Sequence, residues 1–228
     1  RKYDFIALPV LDADGLLVGI VTFDDVMDVL VAEATEDITK MAAVAPSEKT
    51  YFETSAFAHA KRRIPWLLLL MFSSIITGTI ITDYENAFAA IPLLVSFIPM
   101  LMDTGGNCGS QSATLVIRGL ALEEIRFRDF FRVIWKEFKI SLIVGIILAA
   151  ANGVRIFLMY QDVALALVIA FSLVSTVIIS KLIGCILPLL AKRVGLDPAI
   201  MASPLITTIV DACSVLLYFR IATTFLPL

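Results

Sequence analysis

Charge is scarce in this sequence. Only 17% of its 228 residues are Asp, Glu, Lys or Arg, against 59% hydrophobic, whereas a soluble domain carries about 25% charged and about half apolar residues. The mean hydropathy of +0.92 excludes a soluble globule. At about 20 apolar residues per bilayer crossing, the chain has material for several spans and one small polar piece. Histidine occurs once, at His59, and cysteine three times, at Cys108, Cys185 and Cys213. That excludes a disulfide framework and zinc-ligand spacings, and the cysteines, all within apolar runs, read as small buried hydrophobes. No secretory signal precedes a mature domain, and the chain opens at Arg1 in what reads as mid-domain, as a fragment would. A basic surface is lacking too: the net charge is −3, and Arg1–Lys49 holds ten acids against the four bases Arg1, Lys2, Lys40 and Lys49. Such a segment points to cations as partners and not to nucleic acid.

Hydropathy predicts five spans. The first, Ile64–Thr82, is uncharged and follows Lys61-Arg62-Arg63; the second runs from about Asn86 to Ile117 with Asp103 its only charge, long enough to expect a tilt or an irregular section near Gly105-Gly106. The third covers about Ile140–Tyr160, the fourth Val163–Leu190 with Lys181 inside, and the fifth Pro198–Phe219 with Asp211 inside. Leu120–Lys139 carries five bases and Lys192-Arg193 precedes the fifth span, whereas Asp83–Asn86 and Gln161-Asp162 carry none. The positive-inside rule then puts the amino terminus in the cytoplasm and the carboxyl terminus outside a cell membrane, plasma or inner. Five spans cannot form an inverted pair and no internal repeat is visible, so two-fold symmetry requires a homodimer.

The polar start reads as strand Phe5–Leu11, turn Asp12–Gly15, strand Leu16–Thr22, then a helix from Val26 capped by Asp24 or Asp25. About thirty residues cannot form a core alone, so this reads as the end of a domain. Val31–Thr54, Ala-rich and acidic, predicts a solvated connecting helix at least to Val44.

An acid deep in a span costs about 2.5–3.5 kcal/mol on insertion scales and usually accompanies function. Asp211 is such an acid. Ser203, Thr207, Asp211 and Ser214 fall at spacings of 4, 4 and 3, a polar stripe suited to lining water or, alternatively, a helix-packing seam. In the second span, Gly105, Gly106 and Gly109 suit close helix packing, but Asn107 and Gln111 need partners or water. Asp103 is a pore acid, an ion-pair partner of Lys181 or a group near an interface; Lys181 and Arg155 are otherwise unassigned. Two copies of Asp211 meeting at a dimer axis would favour a divalent cation, and hard oxygen ligands point to Mg2+, Ca2+ or Mn2+. Asp24, Asp25, Asp28, Glu33, Glu36 and Asp37 read either as an ordinary solvated helix or as a divalent-ion sensor.

Through Thr104–Thr114 (TGGNCGSQSAT), Asp197-Pro198-Ala199, Ser203-Pro204-Leu205 and Ile209-Val210-Asp211, nearly the whole chain resembles the MgtE family of magnesium channels and transporters. The resemblance implies an all-α membrane protein of five transmembrane helices per subunit, preceded by a partial α/β CBS motif and a connecting plug helix. It divides the chain into residues 1–30 (the end of a CBS domain), 31–54 (plug helix and linker) and 55–228 (pore domain). It implies a Mg2+-selective channel and not an enzyme, with the pore between the second and fifth spans of both subunits. Asp211 matches the ion-selecting aspartate, with Thr207 and Ser203 before it where a relative has Ala and Asn; Ser214, Asn107, Gly105 and Gly106 complete the expected pore set. Regulatory Mg2+ sites map onto Asp25, Asp28, Glu33, Glu36, Asp37 and Asp197, and the plug helix closes the pore when cytosolic Mg2+ is high. Gly19–Asp25 resembles the close of a CBS motif, whose Thr22 and Asp25 match a half pocket for ATP. The rival readings are a transporter exchanging Mg2+ for Na+ or H+ and a non-conducting, membrane-anchored CBS sensor.

Overall fold

The computed structural model describes residues 4–47, 50–201 and 203–226, without the side chains of Phe88 and Ser203; Arg1, Lys2 and Lys49 fall outside the described residues. Two antiparallel strands, β1 (Ala7–Leu11) and β2 (Leu17–Thr22), pair from Ala7 with Thr22 to Leu11 with Leu17. Asp12 Oδ1 accepts from the Asp14 and Leu16 backbone N–H groups, and Gly15 takes the positive φ of 78° that closes the hairpin. Helix α1 (Phe23–Met41) starts three residues earlier than expected. Thr22 is its N-cap, and Asp25 sits at N3, where its carboxylate accepts from the Thr22 N–H at 2.8 Å and the Thr22 hydroxyl at 2.5 Å. This reciprocal capping replaces the cap expected at Asp24 or Asp25. The helix also ends before Val44, because Ala43 turns to a φ of 54°.

Six helices follow: α2 (Ala56–Asp83), α3 (Glu85–Ala90), α4 (Ile98–Ala121), α5 (Phe130–Tyr160), α6 (Val163–Arg193) and α7 (Ser203–Phe225). The expected second span is thus interrupted, though not at Gly105-Gly106, where α4 is continuous. The break is at Ile91–Phe97: Pro92 lacks an N–H and drives Ile91 out of the helical region (φ −135°, ψ 84°), and residues 92–97 form a 3₁₀ segment. The hydroxyl of buried Tyr218 on α7 donates to the Leu94 carbonyl at 2.9 Å, partnering a backbone oxygen of this irregular stretch.

Among the described residues, four helices are long and apolar enough to cross a membrane: α2, α5 and α7, the last two with their preceding turns, and α6. The second expected span, represented by α4, is not among them, because Asp103, Asn107, Gln111 and its glycines dilute its apolar character. It is nonetheless the best-packed helix after α6. Helix α6 is central, touching α4, α5 and α7, while α2 lies outside against α7 with Thr77 its one buried residue. The largest cluster joins Leu94, Phe97 and Leu101 to Ile156, Ile169, Leu173, Tyr218 and Phe219. A second, of Ala113, Ile117, Ala199, Ile206 and Val210, lies against Met41 at the end of α1.

Candidate functional site

Glycines bring α4 against its two neighbours. A Cβ on Gly105 would lie 2.9 Å from Ser214 Oγ and 3.0 Å from Thr176 Cγ2, one on Gly109 would lie 2.8 Å from Ile206 Cγ2, and one on Gly184 of α6 would run into the Gly109 carbonyl oxygen. Such close approach is what small residues permit between membrane helices. Gly106 plays the same part beside Thr207, whose Cγ2 would be 2.9 Å from an added Cβ.

On the side where Gly106 meets Thr207, the helices leave a cavity of about 200 Å³ lined by Met102, Asp103, Gly106, Asn107, Thr207 and Asp211. Two carboxylates, one amide and one hydroxyl converge there, and among the described residues no Lys or Arg lines it. Thr207 Oγ1 donates to the Pro204 carbonyl at 2.9 Å, which leaves its lone pairs for a ligand or water. Larger cavities of about 560 and 410 Å³, between α5 and α6 and between α6 and α7, have apolar linings. Asp103, Asn107, Gln111, Thr114 and Arg118 recur every three or four residues as an exposed polar line along α4.

Of the residues singled out in the sequence, Asp211, Thr207, Asn107 and Gly106 meet at this cavity, and Asp103 joins them. Gly105 and Ser214 lie apart, buried against one another where α4, α6 and α7 meet. The backbone of Ser203 opens α7, but its side chain lies outside the described residues. Asp103 and Lys181 do not pair: Lys181 of α6 meets another face of α4, where its Nζ donates to Ser112 Oγ at 3.3 Å and Ser112 Oγ donates to Glu137 Oε2 at 2.6 Å. Glu137, on α5 and only 7% exposed, escaped the sequence reading. Its signal was the run Glu137, Ser141, Gly145, Ala149 at four-residue steps, a small-residue face that is buried throughout. Arg155 bonds Asn152 of its own helix at 3.0 Å.

Asp25, Asp28 and Glu33 are exposed along α1, and Glu36 and Asp37 are half-buried. Among the described residues no three His, Cys, Asp or Glu side chains gather as a metal group. Asp197, just before α7, instead accepts from Lys40 Nζ of α1 at 2.6 Å, and Lys40 also pairs with Glu36 at 2.5 Å. Burial alone would raise the Asp197 carboxyl, but the Lys40 ammonium and the Ala199 N–H outweigh it and hold it below the usual carboxylate range. The hydrogen bonds to Asp197 and Glu36 push the Lys40 ammonium up. Thr22, a residue of the expected half pocket for nucleotide, is engaged with Asp25 in the cap, and its two hydrogen bonds, side chain first, lower the Asp25 carboxyl.

A family model for MgtE, described as a divalent cation transporter, matches residues 98–221, which run from the start of α4 into α7. The magnesium transporter MgtE of Bacillus subtilis (strain 168) is 41% identical over 226 residues, 99% of this chain and 50% of that protein. The magnesium transporter MgtE of Thermus thermophilus is 41% identical over 220 residues (96% and 49%), and that of Enterococcus faecalis 34% identical over 226 (99% and 49%). The chain spans about half the length of these curated relatives. With the matched stretch holding both walls of the acidic cavity, the chain belongs to the MgtE family of divalent cation transporters.

Proposed function

We propose that this chain carries Mg2+ passively across the cell membrane, through a path lined by α4 and α7 at the interface of two copies. The observation that carries this reading is the cavity in which Asp103 and Asp211 face each other's charge beside Asn107 and Thr207, with no cation on its wall. Two carboxylates sharing one small cavity repel, and a divalent cation relieves them better than a monovalent one. Mg2+ sheds water reluctantly, so amide and hydroxyl groups around a space several times the ~30 Å³ share of one water suit a hydrated ion. Asp211, with Thr207 and Ser203 on its helix, is the discriminating acid; Asn107 and the backbone of Gly106 form the opposite wall, and Gly105 and Ser214 hold the two helices together.

The exposed polar line on α4 supports the dimer. A face carrying Asp103, Asn107, Gln111, Thr114 and Arg118 cannot rest against lipid tails, and a second copy around a water-filled path covers it. Helix α4 is then the second of five crossings, and the Lys and Arg between spans put the amino terminus in the cytoplasm and the carboxyl terminus outside. Residues 1–30 end a CBS domain, and its Thr22 and Asp25 contribute half of an ATP pocket. Residues 31–54 form the plug and linker. High cytosolic Mg2+, held by Asp25, Asp28, Glu33, Glu36 and Asp37 against other acidic surfaces, keeps α1 docked at Asp197 below the pore.

Mg2+ entry into liposomes holding the purified protein, with Na+ and pH gradients collapsed by ionophores, tests this reading. Entry that persists without those gradients and is lost in Asp211→Ala is expected. Entry that requires a Na+ or H+ gradient would establish the exchanger instead, and no entry in any condition would favour the sensor.

A further inference from the structure

Lys181, Ser112 and Glu137 join three helices at a point the conduction path does not use. They are 4%, 0% and 7% exposed. One hydroxyl on α4 accepts from the ammonium on α6 and donates to the carboxylate on α5, so both charges are partnered inside the protein. The neighbouring contacts are smooth: Gly109 and Gly184 meet backbone to backbone, and a Cβ on Gly145 of α5 would lie 3.3 Å from Val174 Cα. Van der Waals contact between such surfaces has no preferred direction, and a helix resting on glycines can roll. Hydrogen bonds made by a hydroxyl to an ammonium and to a carboxyl group in a low-dielectric interior are directional and strong. Ser112 follows Asp103 by nine residues and Asn107 by five, about 180° and about 140° around the helix. It therefore sits on the back of α4, opposite the acidic cavity.

We propose that the Lys181–Ser112–Glu137 link is a rotational key: by holding α4 from behind to α5 and α6, it aims Asp103 and Asn107 at Thr207 and Asp211 on α7. The three are positioning residues and touch no ion. The inference rests on the α4–α7 path proposed above.

Two cysteine reporters test it, Asn107→Cys on α4 and Thr207→Cys on α7, each in protein whose Cys108, Cys185 and Cys213 are replaced by Ala. The measured quantity is the rate of modification by a water-soluble methanethiosulfonate in liposomes. With the link intact both reporters react. Ser112→Ala removes the bridging hydroxyl, and the pair Lys181→Met with Glu137→Gln removes both charges together and strands neither. Both changes are expected to slow the Asn107→Cys reporter about tenfold while leaving the Thr207→Cys reporter within about twofold. An unchanged Asn107→Cys rate in both would overturn the proposal, and so would an equal fall at both reporters, which is the mark of a merely structural role. If neither reporter reacts with the link intact, the α4–α7 path itself fails and the key with it.

Discussion

At the scale of residues, the acids of the membrane region were unequally legible. Asp211 stands out in any reading because nothing else in Pro198–Phe219 is charged, and Asn107 stands out because an amide among apolar residues needs an explanation. Ser214 shares their spacing but not their surroundings, since α4 crosses α7 closely enough at Gly105 to cover it; which face a neighbour covers is not written in helical period. Glu137 was hidden for a different reason. Arg132, Lys136 and Lys139 surround it and make its stretch look like a cytoplasmic connection, although α5 carries it inward. Tyr218 offers a separate test of packing. Tyr218→Phe keeps the ring but removes the bond to the Leu94 carbonyl, so a loss of about 1 kcal/mol of stability in thermal unfolding of the detergent-solubilised protein is expected; an unchanged midpoint would mean that the bond contributes nothing net.

At the scale of elements, α4 is the part that hydropathy describes worst. Its polar residues and glycines lower its apolar character, yet those same glycines give it its intimate contacts, and the break that precedes it traces to Pro92 and not to the glycines. Two substitutions separate packing from path. Gly184→Ala places a methyl against the Gly109 backbone, which cannot give way, and is expected to cost about 1–3 kcal/mol or more of stability. Gly106→Ala meets the Thr207 side chain, which can turn, so the protein is expected to fold and to lose Mg2+ flux through a narrowed path. Unfolding midpoints together with liposome flux distinguish these results, and equal loss of both properties in both variants would contradict the assignment. The start of α1 was missed because the cap lies at Thr22, with Asp25 as the reciprocal partner, whereas the acids themselves drew the eye.

At the scale of the whole molecule, membrane class and the acidity of the amino-terminal segment were readable from composition, and the family from the run Thr104–Thr114. Contacts between distant segments were not. The docking of α1 through Lys40 on Asp197 joins residues 157 apart, and no local pattern announces it. In the proposed gate this contact helps keep α1 over the path, so Lys40→Ala is expected to raise Mg2+ flux severalfold at high internal Mg2+ and to change it little at low; equal flux under both conditions in native and variant protein would remove the contact from gating. The pair also has a defined pH window. The lowered Asp197 carboxyl contributes stability above its ordinary value and loses it as pH falls through the lowered one. The raised Lys40 ammonium contributes below its ordinary value and loses it only as pH rises through the raised one. Docking through this pair is therefore expected to be constant between about pH 5 and pH 9, as measured by proteolytic protection of the segment after Met41.

In the proposed path between α4 and α7, the Asp211 carboxylate selects divalent ions. Selection by Asp211 is measured as the reversal potential in planar bilayers with opposed gradients of MgCl2 and NaCl, for native protein and Asp211→Asn. A native reversal potential near that of Mg2+ and a shift toward that of Na+ in the variant are expected, while equal reversal potentials in two conducting proteins would rule out selection by Asp211.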